Sequence, residues 1–117
     1  MTPYQNILQL FSLFLSQDTE LLTRLRAAPN ATQSGFYLSQ TEWHFRLPEL
    51  HQLLRQQHPP FENMTYPQFR QLIFNNPFNH DLNRLNAEII IIKNRHKVDL
   101  TVYAIRKKPT PPTNRRI

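Results

Sequence analysis

The sequence has no cysteine and a single glycine among its 117 residues. Without cysteine the chain can form no disulfide, use no thiol nucleophile and hold no zinc through thiolate ligands. Phosphate-binding loops of the Walker and dinucleotide types need several glycines at fixed spacing, and Gly35 stands alone. These absences exclude the glycine-rich nucleotide loops, and the lack of cysteine fits a reducing, cytoplasmic location.

Long hydrophobic runs are also missing. A helix that spans a bilayer needs about 20 apolar residues, whereas the longest apolar stretch, residues 7–15, is interrupted by Gln9 and Ser12. The opening residues MTPYQN contain no Lys or Arg, and no small-residue cleavage site follows them, so no signal peptide is predicted. We therefore expect a cytoplasmic protein with no membrane association, about one domain long.

Patterns typical of catalysis and metal binding do not occur either. The sequence has no nucleophile elbow and no HExxH motif, and its eight carboxylates form no evident acid–base pair. His44, His51 and His58 are spaced seven residues apart. Along a helix that spacing is about 10 Å, too far for the three to share one metal ion. We expect a protein that is not an enzyme and has no cofactor and no metal site.

Positive charge is concentrated in the last third of the chain. Residues 84–117 hold nine Lys or Arg against two acidic residues, whereas the first 83 residues hold five basic and six acidic ones. A local field of this kind attracts polyanions, nucleic acid first and an anionic membrane surface second. A solvated hairpin followed by a basic tail would have the same composition, so the charge narrows the list of partners without selecting one.

The first part of the chain has helical periodicity. Thr2 followed by Pro3 is typical of a helix start, and the apolar residues that follow recur at helical spacing. Residues 3–28 are predicted to form one bent helix or two short ones. Residues 1–28 would serve as a helical support or as a dimerisation segment, in which the apolar stripe of residues 4–25 binds a second copy or another protein.

Capping patterns predict two further helix starts in the middle of the chain. Ser39 followed three residues later by Glu42 is the pattern of a capping box, which predicts a helix that begins ahead of Trp43 and Phe45. Pro48 then opens a fresh helix, which ends before the next pair of prolines.

A second capping box, Thr65 with Gln68, predicts a helix over residues 66–75, and Asn79 is predicted to cap a short helix over residues 78–87. The helix phases predict a common core, together with one face of residues 89–92, made of Leu50, Leu53, Leu54, Phe69, Leu72, Ile73, Leu82 and Leu85.

After these helices the pattern becomes extended. A run of isoleucines, a turn-like segment at residues 94–97 and an alternating segment predict an antiparallel β-hairpin over residues 88–106. Residues 109–117 are rich in proline and charge and are predicted to be a disordered basic tail, which leaves residues 1–108 as a single domain. The predicted fold class is α+β, mostly helical with a C-terminal β-hairpin.

The order of elements in residues 48–106 is helix, short extended link, helix, tight turn, short helix and hairpin. This order, with the Asn-Pro-Phe-Asn turn at residues 76–79 and the hairpin that follows at once, resembles the winged helix-turn-helix superfamily. The resemblance implies a winged-helix-like core, in which the second helix of the pair reads DNA and the hairpin is the wing.

Two sets of candidate DNA-binding residues follow from this resemblance. On the 79–87 helix, the outward-facing residues able to pair with base edges are His80, Asn83, Arg84 and Asn86. Phosphate contacts are expected from Arg70, Lys93, Arg95, His96, Lys97, Arg106, Lys107 and Lys108. An ordinary polar helix face, and basic residues that protect a hairpin edge from aggregation, would look the same in the sequence.

The expected function is therefore that of a small basic protein that binds double-stranded DNA, as a transcriptional regulator or a replication or mobile-element accessory factor. One alternative is a non-enzymatic protein–protein interaction module or adaptor on the same fold. Another is a basic inhibitor or adaptor that binds an acidic protein surface.

Overall fold

The computed structural model describes residues 2–27, 36–94 and 96–108. Its helices are α1 (Pro3–Leu15), α2 (Thr19–Ala27), α3 (Leu47–Gln57), α4 (Tyr66–Phe74) and α5 (Phe78–Leu82), with single 3₁₀ turns at Pro59–Phe61 and Asn83–Leu85. Its strands are β1 (Tyr37–Leu38), β2 (Glu42–Phe45), β3 (Ala87–Lys93) and β4 (Val102–Lys107). The chain is thus α+β, as predicted, while the predicted tail at 109–117 lies outside the described residues.

The four strands form one antiparallel sheet in the order β1–β2–β4–β3. Both Trp43 of β2 and Ile89 of β3 lie opposite Ile105 of β4. Trp43 and Ile105 belong to the core that the helices cover, and the partly buried Ile89 packs against it. Ion pairs such as Arg106 with Glu88 occupy the other face of the sheet. The molecule therefore has two layers, with its helices on one face of the sheet and β1 and β3 as the sheet edges.

Helix α1 supplies the centre of this core. Ile7, Phe11 and Phe14 are fully buried, and the Phe11 ring lies 5.9 Å from the rings of both Trp43 and Phe45. The apolar stripe that was predicted to be a possible dimer or partner surface is thus covered by the chain's own sheet. Within the described ranges, no helix combines the length and the apolar character needed to cross a membrane.

The prediction that a helix begins ahead of Trp43 is wrong, because residues 42–45 form strand β2. The Ser39 hydroxyl does accept a hydrogen bond from the Glu42 amide, at 3.0 Å, as in a helix cap. The Ser39 amide, however, donates to the Glu42 carbonyl at 2.8 Å, which closes a tight turn between β1 and β2. The alternation of Trp43 and Phe45 with polar neighbours is a two-residue period, and burial of both on one face selects the strand.

The capping box at Thr65 is confirmed. The Thr65 hydroxyl accepts from the Gln68 amide, and the Gln68 side chain accepts from the Thr65 amide, at the start of α4. The helix ends at Phe74, one residue before the predicted end.

The helix predicted over residues 78–87 is too long. Helix α5 ends at Leu82, a 3₁₀ turn follows, and Asn86 has a left-handed backbone with φ of 55°. Asn79 does not cap the helix, because its side chain bonds the backbone of Ile89. Leu85, which was predicted to be buried, is consequently 45% exposed. Of the remaining predicted core residues, Leu72 and Ile73 are only partly buried.

The second strand of the predicted hairpin begins later than expected. Strand β3 ends at Lys93 and β4 starts at Val102, and residues 94 and 96–101 are the described part of the connection between them. The amides of Leu100 and Thr101 both donate to the Lys97 carbonyl at 3.0 Å, so this part of the connection is a helical turn. Its apolar side chains Val98 and Leu100 remain exposed, so the strand that the alternating pattern predicts is wrong over residues 98–101.

The depth of the core gives a stability prediction. Leu54 is fully buried, so Leu54→Ala should lower the free energy of unfolding by about 2–5 kcal/mol, because apolar burial is reduced and a cavity remains. Leu85→Ala is the matched control at an exposed leucine and should change the free energy of unfolding by less than about 0.5 kcal/mol. Urea unfolding of both variants measures the free energy of unfolding. Equal decreases in the two variants would contradict the burial of Leu54 and the exposure of Leu85.

Candidate nucleic-acid interface

Asp99 attaches the β3–β4 connection to helix α4. The Tyr66 hydroxyl donates to Asp99 Oδ1 at 2.6 Å, and Arg70 Nη1 lies 3.4 Å from the same oxygen. The Arg70 guanidinium also lies over the Tyr66 ring, 5.9 Å from its centre. Tyr66 and Arg70 are one helical turn apart and so share a side of α4. The first half of α4 is therefore fixed beside the connection.

The contact with Asp99 is also visible in the acid–base properties of two tyrosines. Burial, followed by the hydrogen bond to Asp99 and its negative charge, raises the pKa of Tyr66 well above its usual value. Burial and the Asp99 charge raise the pKa of Tyr103 in the same direction. Both phenols favour the neutral form, in which Tyr66 can donate its proton to Asp99.

Basic side chains surround this attached connection. Lys93 ends β3, and His96 and Lys97 follow, all three exposed. The Asn94 side chain accepts from the His96 amide at 2.9 Å and supports the left-handed backbone of His96, whose φ is 64°. Lys93 and Lys97 make no ion pair with any residue that the structure describes. We call Arg70, Lys93, His96 and Lys97 the tip group; Arg95 lies outside the described residues.

A second basic group lies at the other end of the hairpin, where Lys107 is opposite Ala87. There Lys108 donates from Nζ to the Asn83 side chain at 2.7 Å, and its amide donates to the Asn86 carbonyl at 2.8 Å. We call Asn83, Arg84, Asn86, Lys107 and Lys108 the base group.

Arg106 has a different environment. It pairs with Glu88 at 2.8 Å on the outer face of the sheet, and both side chains are partly buried. Because Glu88 neutralises it, Arg106 is less suited to phosphate contact than the sequence alone predicts.

The predicted DNA-binding residues thus form two groups. Strand β3 runs from Ala87, beside the base group, to Lys93 in the tip group. At about 3.3 Å per residue the two groups lie about 20 Å apart. His80 lies on α5, where its side chain is exposed, and it is not part of either group.

Helix α5 is also poorly suited to enter a groove. It has five residues, and the Tyr4 hydroxyl of α1 donates to the Asp81 carboxylate. Burial and this contact raise the pKa of Tyr4 to about 12. A carboxylate in so short a helix would repel phosphates, so the base-reading role predicted for residues 79–87 has little geometric support.

Helix α4 is the better candidate for that role. Phe69 is fully buried, and the opposite side of the helix exposes Gln71, with Asn75 exposed just after the helix end. This side lies next to the tip group through Arg70. Gln71 and Asn75 are not among the residues predicted from the sequence to contact DNA. The helical phase set by Phe69 was the signal that could have found them.

Comparison of the chain with known protein families, curated proteins and solved structures found no match. Among the described residues, no cluster of three or more His, Asp or Glu side chains could hold a metal ion. The geometry of the site combines an exposed polar helix face with a cluster of cationic side chains.

The contact between Tyr66 and Asp99 makes stability depend on pH in the alkaline range. Because the pKa of Tyr66 is higher in the folded protein than the ordinary value of about 10, its contribution is complete below pH ~10 and is lost as the pH rises above it. Tyr66→Phe should therefore lose less stability than the unchanged protein between pH about 8 and about 11. Tyr4 and Tyr103 shift in the same direction, so part of the loss should remain.

Urea unfolding at the two pH values checks this, together with the near-ultraviolet absorbance of tyrosinate. An alkaline loss in Tyr66→Phe as large as in the unchanged protein would show that Tyr66 is not held by Asp99.

Proposed function

We propose that this protein binds double-stranded DNA in the manner of a winged helix, with α4 facing the groove and the connection between β3 and β4 as the wing. The observation that carries the proposal is the attachment of Asp99 to Tyr66 and Arg70. Through it, the exposed polar face of α4 and the cationic tip group share one side of the molecule. These are the two chemistries that base reading and phosphate contact require.

The order of elements supports the same proposal. Helices α3, α4 and α5 are followed at once by β3 and β4, which pair antiparallel. This is the order on which the resemblance to winged helices rests, with a shorter last helix and a longer connection between the strands. In this proposal α4, rather than residues 79–87, presents side chains to base edges.

The charge distribution fits a duplex as the ligand. Lys93 and Lys97 have no acidic partner within the described part of the chain, so both remain available to phosphates. The base group lies about 20 Å away, which corresponds to about six base pairs at ~3.4 Å each. A single duplex could thus contact both groups, with the tip group beside α4 as the principal one.

Phosphate contacts by the tip group predict a specific salt dependence. Lys93→Ala with Lys97→Ala should weaken binding to every duplex and reduce the slope of log affinity against log salt by about 0.9 for each phosphate that is no longer neutralised. Arg26→Ala with Arg55→Ala removes the same charge from exposed positions on α2 and α3 and should leave that slope nearly unchanged. Fluorescence anisotropy of a labelled random duplex at several salt concentrations measures both.

If the unchanged protein binds no duplex even at low salt, the proposal is wrong, and the same cations would suit an acidic protein surface. Equal slopes in the two double variants would mean that the charge acts only through the net +6 of the chain.

Base reading by α4 predicts a different effect. Gln71→Ala should change the preference at one base pair by about 1–3 kcal/mol and leave the salt slope unaltered. Arg84→Ala is the comparison, since it removes the exposed arginine of the base group. Selection from a randomised duplex library distinguishes the two. A changed preference in Arg84→Ala but not in Gln71→Ala would return the reading role to residues 79–87.

A further inference from the structure

Strand β3 has an open hydrogen-bonding edge at Ile91. Asn79 Oδ1 accepts from the Ile89 amide at 2.7 Å, and Asn79 Nδ2 donates to the Ile89 carbonyl at 3.2 Å. The backbone groups of Ile89 therefore point away from β4. Because this direction alternates along an antiparallel pair, the amide and carbonyl of Ile91 point outward as well. Within the described residues, neither of them has a partner.

An apolar cleft of about 320 Å³ lies beside this edge. Ile91 and Phe74, the last residue of α4, line it and are 56% and 55% exposed. Deeper in, the lining includes the buried side chains of Phe11, Phe45 and Leu50. Large apolar side chains exposed beside a cavity are typical of a binding surface.

The combination of an open edge and a cleft is suited to an extended polypeptide. An outward amide and an outward carbonyl on one residue are both satisfied by an added strand, and every second side chain of that strand would point to the helix side of the sheet, where the cleft lies. Asn79 already occupies the position of a partner peptide group at Ile89. An added strand would therefore pair with β3 at Ile91, next to the register shift that separates Ile91 from Lys93.

Charge distinguishes a partner protein from a second copy of this chain. Since Asn79 covers Ile89, two copies joined edge to edge would pair around Ile91 and Lys93, which would bring the two Lys93 side chains close together. Like charges at such positions destabilise a strand pair. An acidic residue on the added strand would instead be attracted by Lys93, which has no ion-pair partner in the described ranges.

We propose that the β3 edge at Ile91 and the adjoining cleft bind an extended segment of a partner protein that carries one large apolar side chain flanked by acidic residues. The segment forms an additional strand beside β3, and its apolar side chain enters the cleft next to Phe74. Its acidic residues lie beside Lys93. This inference goes beyond DNA binding and does not depend on it.

Synthetic peptides test the inference on the full chain. The probe is a fluorescently labelled Thr/Val-rich peptide with one central Phe and one Glu on each side of it, and the matched control peptide has Lys in place of both Glu. We expect the Glu peptide to bind at least about tenfold more tightly than the Lys peptide, because Lys93 attracts glutamate and repels lysine. Binding of neither peptide, or equal binding of both, would overturn the proposal.

Two protein variants locate the site. Ile91→Pro removes the outward amide, which β4 does not use, so the edge strand should tolerate it; Phe74→Gln alters the side chain beside the cleft. Each should weaken the Glu peptide by about tenfold or more. Leu85→Gln, at an exposed leucine outside the cleft, should bind as the unchanged protein does.

Circular dichroism and thermal melting establish that each variant is folded, and Phe74→Gln provides an independent measurement if Ile91→Pro is not. Unchanged peptide binding in folded Phe74→Gln would overturn the proposal. So would sedimentation that shows a dimer of the unchanged protein which Phe74→Gln dissociates, because the occupant of the edge would then be a second copy.

Discussion

The packing of α1 against the sheet is the interaction on which the rest of the structure depends. Phe11 and Phe14 fill the space above Trp43, and Phe11 also contacts Phe45 and Phe78. Contacts between aromatic rings at these distances add to the burial of large apolar surfaces. Through them, one helix joins β2 to α5 and supplies part of the lining of the cleft beside β3. An N-terminal segment that the sequence presents as a possible accessory is thus the centre of the core.

Hydrogen bonds between polar side chains and residues far along the sequence hold several elements in place. Tyr66 holds Asp99, 33 residues away, and Tyr4 holds Asp81, 77 residues away. Asn79 stabilises the strand edge ten residues further along the chain by imitating a peptide group. The first of these bonds joins the irregular β3–β4 connection to α4, and the other two join the short helix α5 to α1 and to the edge of β3.

These long-range bonds also explain how far sequence reasoning could go. The Thr65 capping box was predictable because both of its bonds form within one turn of helix. The similar pattern at Ser39 makes one of the same bonds and yet closes a β-turn, because burial of Trp43 and Phe45 against α1 decides between helix and strand. Alternation at Val98 predicted a strand, but the bond from Asp99 to α4 holds that segment as a turn. Local patterns gave the α+β class, and tertiary contacts determined which surface faces outward.

Tertiary contacts also decide which positive charges in residues 84–117 remain unpaired. Arg106, which belongs to this segment, is neutralised by Glu88, and Arg70, which lies on α4 beside the hairpin, is paired with Asp99. The unpaired positive charge of the described hairpin therefore lies mainly with the lysines at its two ends. Lys93 occupies a special position among them, because it ends the open edge of β3 and also belongs to the tip group. A strand with acidic residues would neutralise a charge that DNA phosphates also require, so the two proposed ligands would oppose each other at this residue. Such opposition is electrostatic, and it should therefore weaken as salt screens both interactions.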